Sequence, residues 1–272
     1  MDKDSARAKK EKLAGVLKEM PSLLVAFSGG TDSSFLLAVA HESLKDRLTA
    51  ATADSITFPS REREEAIKFA GKIGVEHILF KSDESKIPEF TANGPDRCYH
   101  CKKALSIKLK KIAEEKGIVR VAFAANVDDL GDYRPGTRAA EEMGIISPLM
   151  DAGLNKEEIR FLSKEMGLST WDKPSMACLA SRIPYGTMIT IEKLRTIEAA
   201  EDFLFGIGFR QIRVRHHGPV VRIEAAVNDL PVFLKEDVRI KILERFKELG
   251  FKHISLDLEG FVSGSMNRVL PE

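Results

Sequence analysis

The sequence predicts an α/β protein, with a parallel sheet and crossover helices followed by a smaller α/β module. Three observations carry this. Strand-like and helix-like segments alternate at about 25-residue spacing through the first half, as βαβ units do. The first strand ends abruptly in Ser28-Gly29-Gly30-Thr31-Asp32-Ser33, and a helical apolar run follows at once. Beyond Gly186 the texture changes, and a helix, a Gly-Phe pair and a strand occur twice.

Each element has its own signal. Leu23–Phe27 is an apolar, β-rich run, and Leu48–Ala53 reads as a second strand ending at Asp54-Ser55. Pro59-Ser60 then caps a helix with Ala66, Ile67, Phe69, Ala70 and Ile73 at helical spacing, and Gly74 stops it. Val75–Phe80 is a third strand, and Ser82–Arg97 is a polar, breaker-rich loop. A lysine-rich helix runs from about Cys101 to Lys116, Val119–Ala124 is a fourth strand, and Ile145-Ile146 is a short fifth. Asn155–Met166 is helical, while Gly167–Gly186 has little periodicity and reads as an ordered functional loop. Glu192–Phe205 and Glu236–Leu249 are helices of the second module, and His217-Gly218-Pro219 turns one strand into Val220–Ala225. The expected boundary sets residues 1–186 apart from 187–272.

The 272 residues are 43% hydrophobic and 31% charged with a net charge of +1, an ordinary globular composition. That balance argues against broad nucleic-acid binding. The charged start, MDKDSARAKKEK, has no apolar core of a secretory signal, and no run is long enough to span a membrane. A cytoplasmic protein is the expectation.

The glycine-rich turn carries chemistry. Gly29 and Gly30 allow a tight turn with inward N–H groups, and the following helix adds its positive end, as polyphosphate demands. Ser28 and Ser33 flank that cradle, and Asp32 and Ser33 supply oxygens for a magnesium ion on the phosphates. Asp54, Ser55 and Asn126–Asp129 lie at the carboxyl ends of other strands, where ligands of parallel sheets collect. The turn resembles the SGGxDS loop of the PP-loop ATP pyrophosphatases, the adenine nucleotide alpha hydrolase-like class. It lacks the GK[ST] of a Walker motif.

Three cysteines, an odd number, make no disulfide framework. Cys98 and Cys101 form a CxxC beside Arg97 and Lys102, whose charge favours thiolate, and Cys178 lies far downstream. A zinc site would need a fourth ligand such as His216 or His217. A redox dithiol and a three-thiolate 4Fe–4S cluster with one open iron are the other readings.

SGGTDS, RCYHCK (Arg97–Lys102), NVDDLGDYRPG (Asn126–Gly136) and ACLASRIPYG (Ala177–Gly186), in this order, resemble the LarE family. These are PP-loop enzymes of nickel-pincer nucleotide cofactor synthesis. The resemblance runs from about Leu13 to Glu259 and takes in RVR (Arg213–Arg215) and RIE (Arg222–Glu224). It implies that ATP adenylates a carboxylate of pyridinium-3,5-biscarboxylic acid mononucleotide, and that sulfur then displaces AMP. It further implies the cluster-dependent type, in which Cys98, Cys101 and Cys178 bind a 4Fe–4S cluster that relays sulfide.

The resemblance also assigns roles. Asp54 and Ser55 would sit near adenosine, and Asp128, Asp129 and Arg134 near ATP or the carboxylate being activated. Arg182, Arg213 and Arg215 would bind the phosphate of the nucleotide substrate, for which arginine's planar fork is suited. The plain alternative for Arg213 and Arg215 is a solvated basic strand face. Glu201 and Glu224 are candidates for a divalent ion there, and Trp171 is either a packing residue or a shield for the cluster. Partners implied are a nucleotide-like small molecule, a sulfide donor and further copies of the chain, with neither nucleic acid nor membrane. A tRNA thiolase, an amide-forming ligase and a zinc-stabilised nucleotide-binding regulator are the rival readings.

Overall fold

The computed structural model describes residues 1–131 and 135–269. The chain divides into two compact units, Met1–Asp83 with Cys98–Met176, and Glu84–Arg97 with Ala177–Glu272. Cys98 and Cys101 belong to the first and Cys178 to the second.

The first unit is built on four parallel strands, β1 (Leu23–Ala26), β2 (Leu48–Asp54), β3 (Glu76–Lys81) and β4 (Arg120–Ala122). Their order is β3-β2-β1-β4, with Leu23 level with Leu48 on one side and Arg120 on the other. Leu23, Leu24 and Val25 are fully buried, as an unbroken apolar run requires in a strand covered on both faces. On one face Leu13, Phe35, Val39, Phe69, Ile159 and Leu162 close over β1 from the flanking helices. On the other, Leu109, Ala113 and Ala140 meet Leu24, Ala51 and Val121. The expected fifth strand is reduced to one parallel bridge between Ala122 and Ile146.

Two helices differ from expectation. Lys3–Lys18 is helical, although its mean composition is strongly polar. Only Ala6, Leu13 and Leu17 are buried, too sparse a stripe to read, while Asp2 caps the helix by accepting from Asp4 N at 3.0 Å. The helix of the CxxC runs Arg97–Glu115, starting one turn earlier than expected. Cys98 and Cys101 therefore lie within its first turns, at i and i+3 on one face.

In the second unit β5 (Ile212–His217) and β6 (Val220–Ala225) form an antiparallel hairpin around Gly218, whose φ is +67°. The third strand, β7 (His253–Leu256), runs parallel to β6. Ile212, Val214, Val221 and Ile223 join Leu204, Phe246 and Phe251 in the core. The two-residue period turns Arg213, Arg215, Arg222 and Glu224 to the opposite face. No helix among the described residues is long and apolar enough to cross a membrane.

Candidate active site

In the first unit, the turn after β1 is shaped by close packing. Gly29 has a φ of +65°, and a Cβ there would stand 3.0 Å from Ala66 Cβ and 3.2 Å from Ala66 Cα. Only glycine fits, so the loop backbone is pressed onto the helix Ser60–Ile73. Gly30 is the cap of the helix Thr31–Leu44 and offers its first turn no side-chain acceptor. Amides at such a helix start suit an anion. Ser33 Oγ donates to Gly30 O at 3.2 Å, accepts from Ser28 N at 3.3 Å and lies 3.1 Å from Ser28 Oγ. Thr31 Oγ1 donates to Thr170 O at 2.8 Å, which ties the loop to the segment after the helix Lys156–Glu165.

Asp32 is the central group. Lys156 Nζ donates to its Oδ2 at 2.5 Å, and Asn126 Nδ2 reaches the same oxygen at 3.4 Å. Oδ1 is buried with no hydrogen-bond partner. Burial holds the carboxyl above the usual carboxylate range, although Lys156 pulls it back. An unsatisfied carboxylate oxygen beside uncapped helix amides suits a magnesium polyphosphate, which brings a cation for the first and an anion for the second.

Neighbouring residues scaffold this point. Asn126 Oδ1 accepts from Asp128 N at 2.9 Å, Asp129 Oδ2 accepts from Asn126 N at 2.9 Å, and Asp128 Oδ2 accepts from Lys156 N at 2.8 Å. Asp128 and Asp129 thus shape the loop after β4 and seat Lys156. Arg134 lies outside the described residues. Asp54, at the end of β2, is paired with Arg63 and Lys81, and the Lys81 hydrogen bond leads in holding its carboxyl below the ordinary range. Ser55 Oγ meets Thr57 Oγ1 at 2.8 Å.

Lys156 and Lys173 were not anticipated from the sequence. Lys173 Nζ donates to Gly29 O at 3.1 Å and bridges Glu62 at 2.7 Å and Glu65 at 2.6 Å. Arg160 holds the backbone around it, donating to Trp171 O at 2.8 Å and Lys173 O at 2.7 Å. A signal existed for Lys156: it follows Asn155, whose capping box with Glu158 fixes the helix start. Trp171 is 36% exposed with Lys164 Nζ 4.4 Å from its ring centroid, so it is no core residue.

The second unit gathers the predicted arginines. Arg182 is fully buried and donates through Nε and Nη2 to both oxygens of Glu201, at 2.9 and 3.0 Å. Glu201 Oε1 also accepts from Val214 N at 2.9 Å. Arg215 pairs with Glu224 at 2.5 Å, and Glu224 also takes Arg222 at 3.1 Å. Arg213 is 4% exposed and Arg215 5%, which removes the solvated-face alternative. Burial, then the charge of Arg182, pushes the Arg213 guanidinium down to about 10. Glu201 and Glu224 are engaged by arginine, so a divalent ion there would have to displace a buried guanidinium. The surplus of positive charge suits an oxyanion instead.

Cys98 and Cys178 are exposed and Cys101 is half-buried. Cys98 and Cys101 make a two-thiol set one turn apart. Among the described residues, no three His, Cys, Asp or Glu side chains are gathered closely enough to hold a metal.

The parallel sheet and its Ser28–Ser33 turn define a PP-loop enzyme, a class that uses ATP with magnesium. Residues 16–128 match the model of the asparagine synthase family. The chain is 36% identical over 266 residues to the pyridinium-3,5-bisthiocarboxylic acid mononucleotide synthase of Lactiplantibacillus plantarum, covering 96% of this chain and 95% of that one. An uncharacterized Synechocystis protein is 40% identical over 97% of this chain and 98% of its own length. The tRNA-specific 2-thiouridylase MnmA of Rickettsia felis is 28% identical over 56% of this chain and 52% of its own. The chain belongs to the LarE family, that of the Lactiplantibacillus synthase.

Proposed function

We propose that this protein uses ATP to replace carboxylate oxygen by sulfur in pyridinium-3,5-biscarboxylic acid mononucleotide. The observation that carries the reading is the unsatisfied Asp32 oxygen beside the open helix start, in a chain similar end to end to the Lactiplantibacillus synthase. A carboxylate oxygen attacks the α-phosphorus of ATP, the bond to the β-phosphate oxygen breaks, and pyrophosphate leaves. Sulfide then adds to the acyl carbon and AMP departs with the original oxygen, leaving a thiocarboxylate. A second round treats the other carboxylate.

The chain's own residues divide this work. Amides of Ser28–Ser33 hold the departing pyrophosphate, and Lys156 can swing from Asp32 onto phosphate oxygens. Asp32 would hold a magnesium ion, which would supply charge neutralisation for the leaving group. Asp54 and Ser55 would face adenosine, Asp128 and Asp129 the activated carboxylate, and Arg213 and Arg215 would take the substrate phosphate, with the charge of Arg182 beside them. By the family resemblance alone, Cys98, Cys101 and Cys178 would be the residues to hold a 4Fe–4S cluster, which would supply iron-held sulfide, and the protein would work in the cytoplasm as a homo-oligomer. Release of pyrophosphate from ATP, measured with the dicarboxylate mononucleotide and with bulk tRNA, tests the reading. Stimulation by the mononucleotide alone is expected, and stimulation by tRNA alone would replace it with a tRNA thiolase.

A further inference from the structure

The segment Glu84–Arg97 belongs to the second unit, and a buried asparagine stitches it there. Asn93 is fully buried with a φ of +60°, a left-handed conformation uncommon outside glycine. Its Nδ2 donates to Pro184 O and Thr187 O at 2.8 Å and reaches Ile183 O at 3.3 Å. Its backbone carbonyl accepts from Gly186 N at 3.0 Å, and Thr91 O accepts from Ile189 N at 2.9 Å. Arg97 Nη1 donates to Asn93 Oδ1, and the guanidinium carbon lies 4.3 Å from the Tyr185 ring centroid. Arg97 is 3% exposed, and its Nε is buried with no hydrogen-bond partner. The surrounding hydrogen bonds hold the left-handed backbone of Asn93 and the unsatisfied Nε of Arg97 in place, and such features cluster at functional sites.

The stretch they grip, 183–189, follows the turn after Cys178, whose carbonyl accepts from Ser181 Oγ at 2.8 Å and Arg182 Nη1 at 3.0 Å. Arg97 directly precedes Cys98. Residues 178–187 therefore hold the Cys178 carbonyl through Ser181 and Arg182, and the residue before Cys98 through Tyr185 and Asn93. We propose that Asn93 and Arg97 are positioning residues for the sulfur chemistry. They hold the stretch after Cys178 and the backbone that leads into Cys98. The inference deepens the proposed sulfur transfer and rests on it, and neither residue touches the reacting atoms.

The test uses the full chain, reduced and free of oxygen, with Asn93→Gly and Arg97→Lys. Glycine keeps the left-handed backbone and removes the amide, and lysine keeps the charge but loses the planar stack on Tyr185. If the glycine variant fails to fold, the lysine variant carries the test. Amide exchange at Gly186 and Ile189 should quicken about tenfold or more as the buried hydrogen bonds are lost. Iodoacetamide alkylation of Cys98, followed by mass spectrometry, should change rate by about threefold or more, while ATP affinity stays within about twofold. Faster exchange with unchanged Cys98 alkylation overturns the proposal, as does unchanged exchange in both variants. Wild-type protein that takes up no iron on anaerobic reconstitution would remove the cluster from the proposed function. The exchange and alkylation rates would still decide the role of Asn93 and Arg97.

Discussion

Lys156 Nζ and Asp32 Oδ2 lie 2.5 Å apart, while the second oxygen of Asp32 is buried without a partner. A carboxylate so placed is half neutralised by the protein and leaves its other half for a ligand. Under the proposed function, this pair would make Asp32 the point at which nucleotide binding and catalysis meet.

Replacing Asp32 with Ala should lower pyrophosphate release by about a thousandfold, the scale of losing charge stabilisation at a leaving group. Iron content of anaerobically purified protein should stay at the wild-type level. Cys101→Ala should do the reverse, losing iron while retaining substrate-dependent pyrophosphate release. Parallel iron analysis and pyrophosphate assays check both variants.

The acid limb of activity should report on Asp32. Burial raises its carboxyl in the folded chain, so protonation is favoured there and its stabilising contribution is lost as pH rises through the folded value. Metal binding needs the ionised form. Activity should therefore fall at a pH above the ordinary carboxylate range as the solution is acidified. Lys156→Met removes the counter-charge and should move that limb further upward, which a pH profile of pyrophosphate release will show.

The buried Arg182–Glu201 pair gives a stability prediction. Both side chains are nearly inaccessible, so Glu201→Gln leaves a buried guanidinium half-paired and should cost about 3–5 kcal/mol. Removing both charges with apolar residues of similar volume should cost less than either single change. Urea unfolding of Glu201→Gln, Arg182→Met and the double apolar replacement, followed by a probe in the second unit, makes the comparison.

How far the sequence reveals this molecule depends on the kind of signal. The parallel strands of the first unit and its phosphate turn were legible because Leu23–Phe27 is unbroken and Gly29-Gly30 sits at its end. The buried arginines were not. Arg213 and Arg215 at i and i+2 look the same on a wet face as on a covered one, and burial appears only once β5 pairs Arg213 with Glu224. Phe261 then lies 4.8 Å from the Arg213 guanidinium. Lys156 and Lys173 read as surface lysines until folding brings them to Asp32 and Gly29. Ser82–Arg97 reads as a connecting loop, because its role rests on bonds from Asn93 to residues about ninety positions away.

Sulfur entering a carboxylate is the reaction on which the rest depends, and the product itself reports it. The full chain is incubated without oxygen with the dicarboxylate mononucleotide, magnesium ATP and sulfide, and the product is weighed by mass spectrometry. One oxygen should give way to one sulfur for each AMP and pyrophosphate formed. AMP and pyrophosphate accumulating beside an unchanged dicarboxylate would contradict the account.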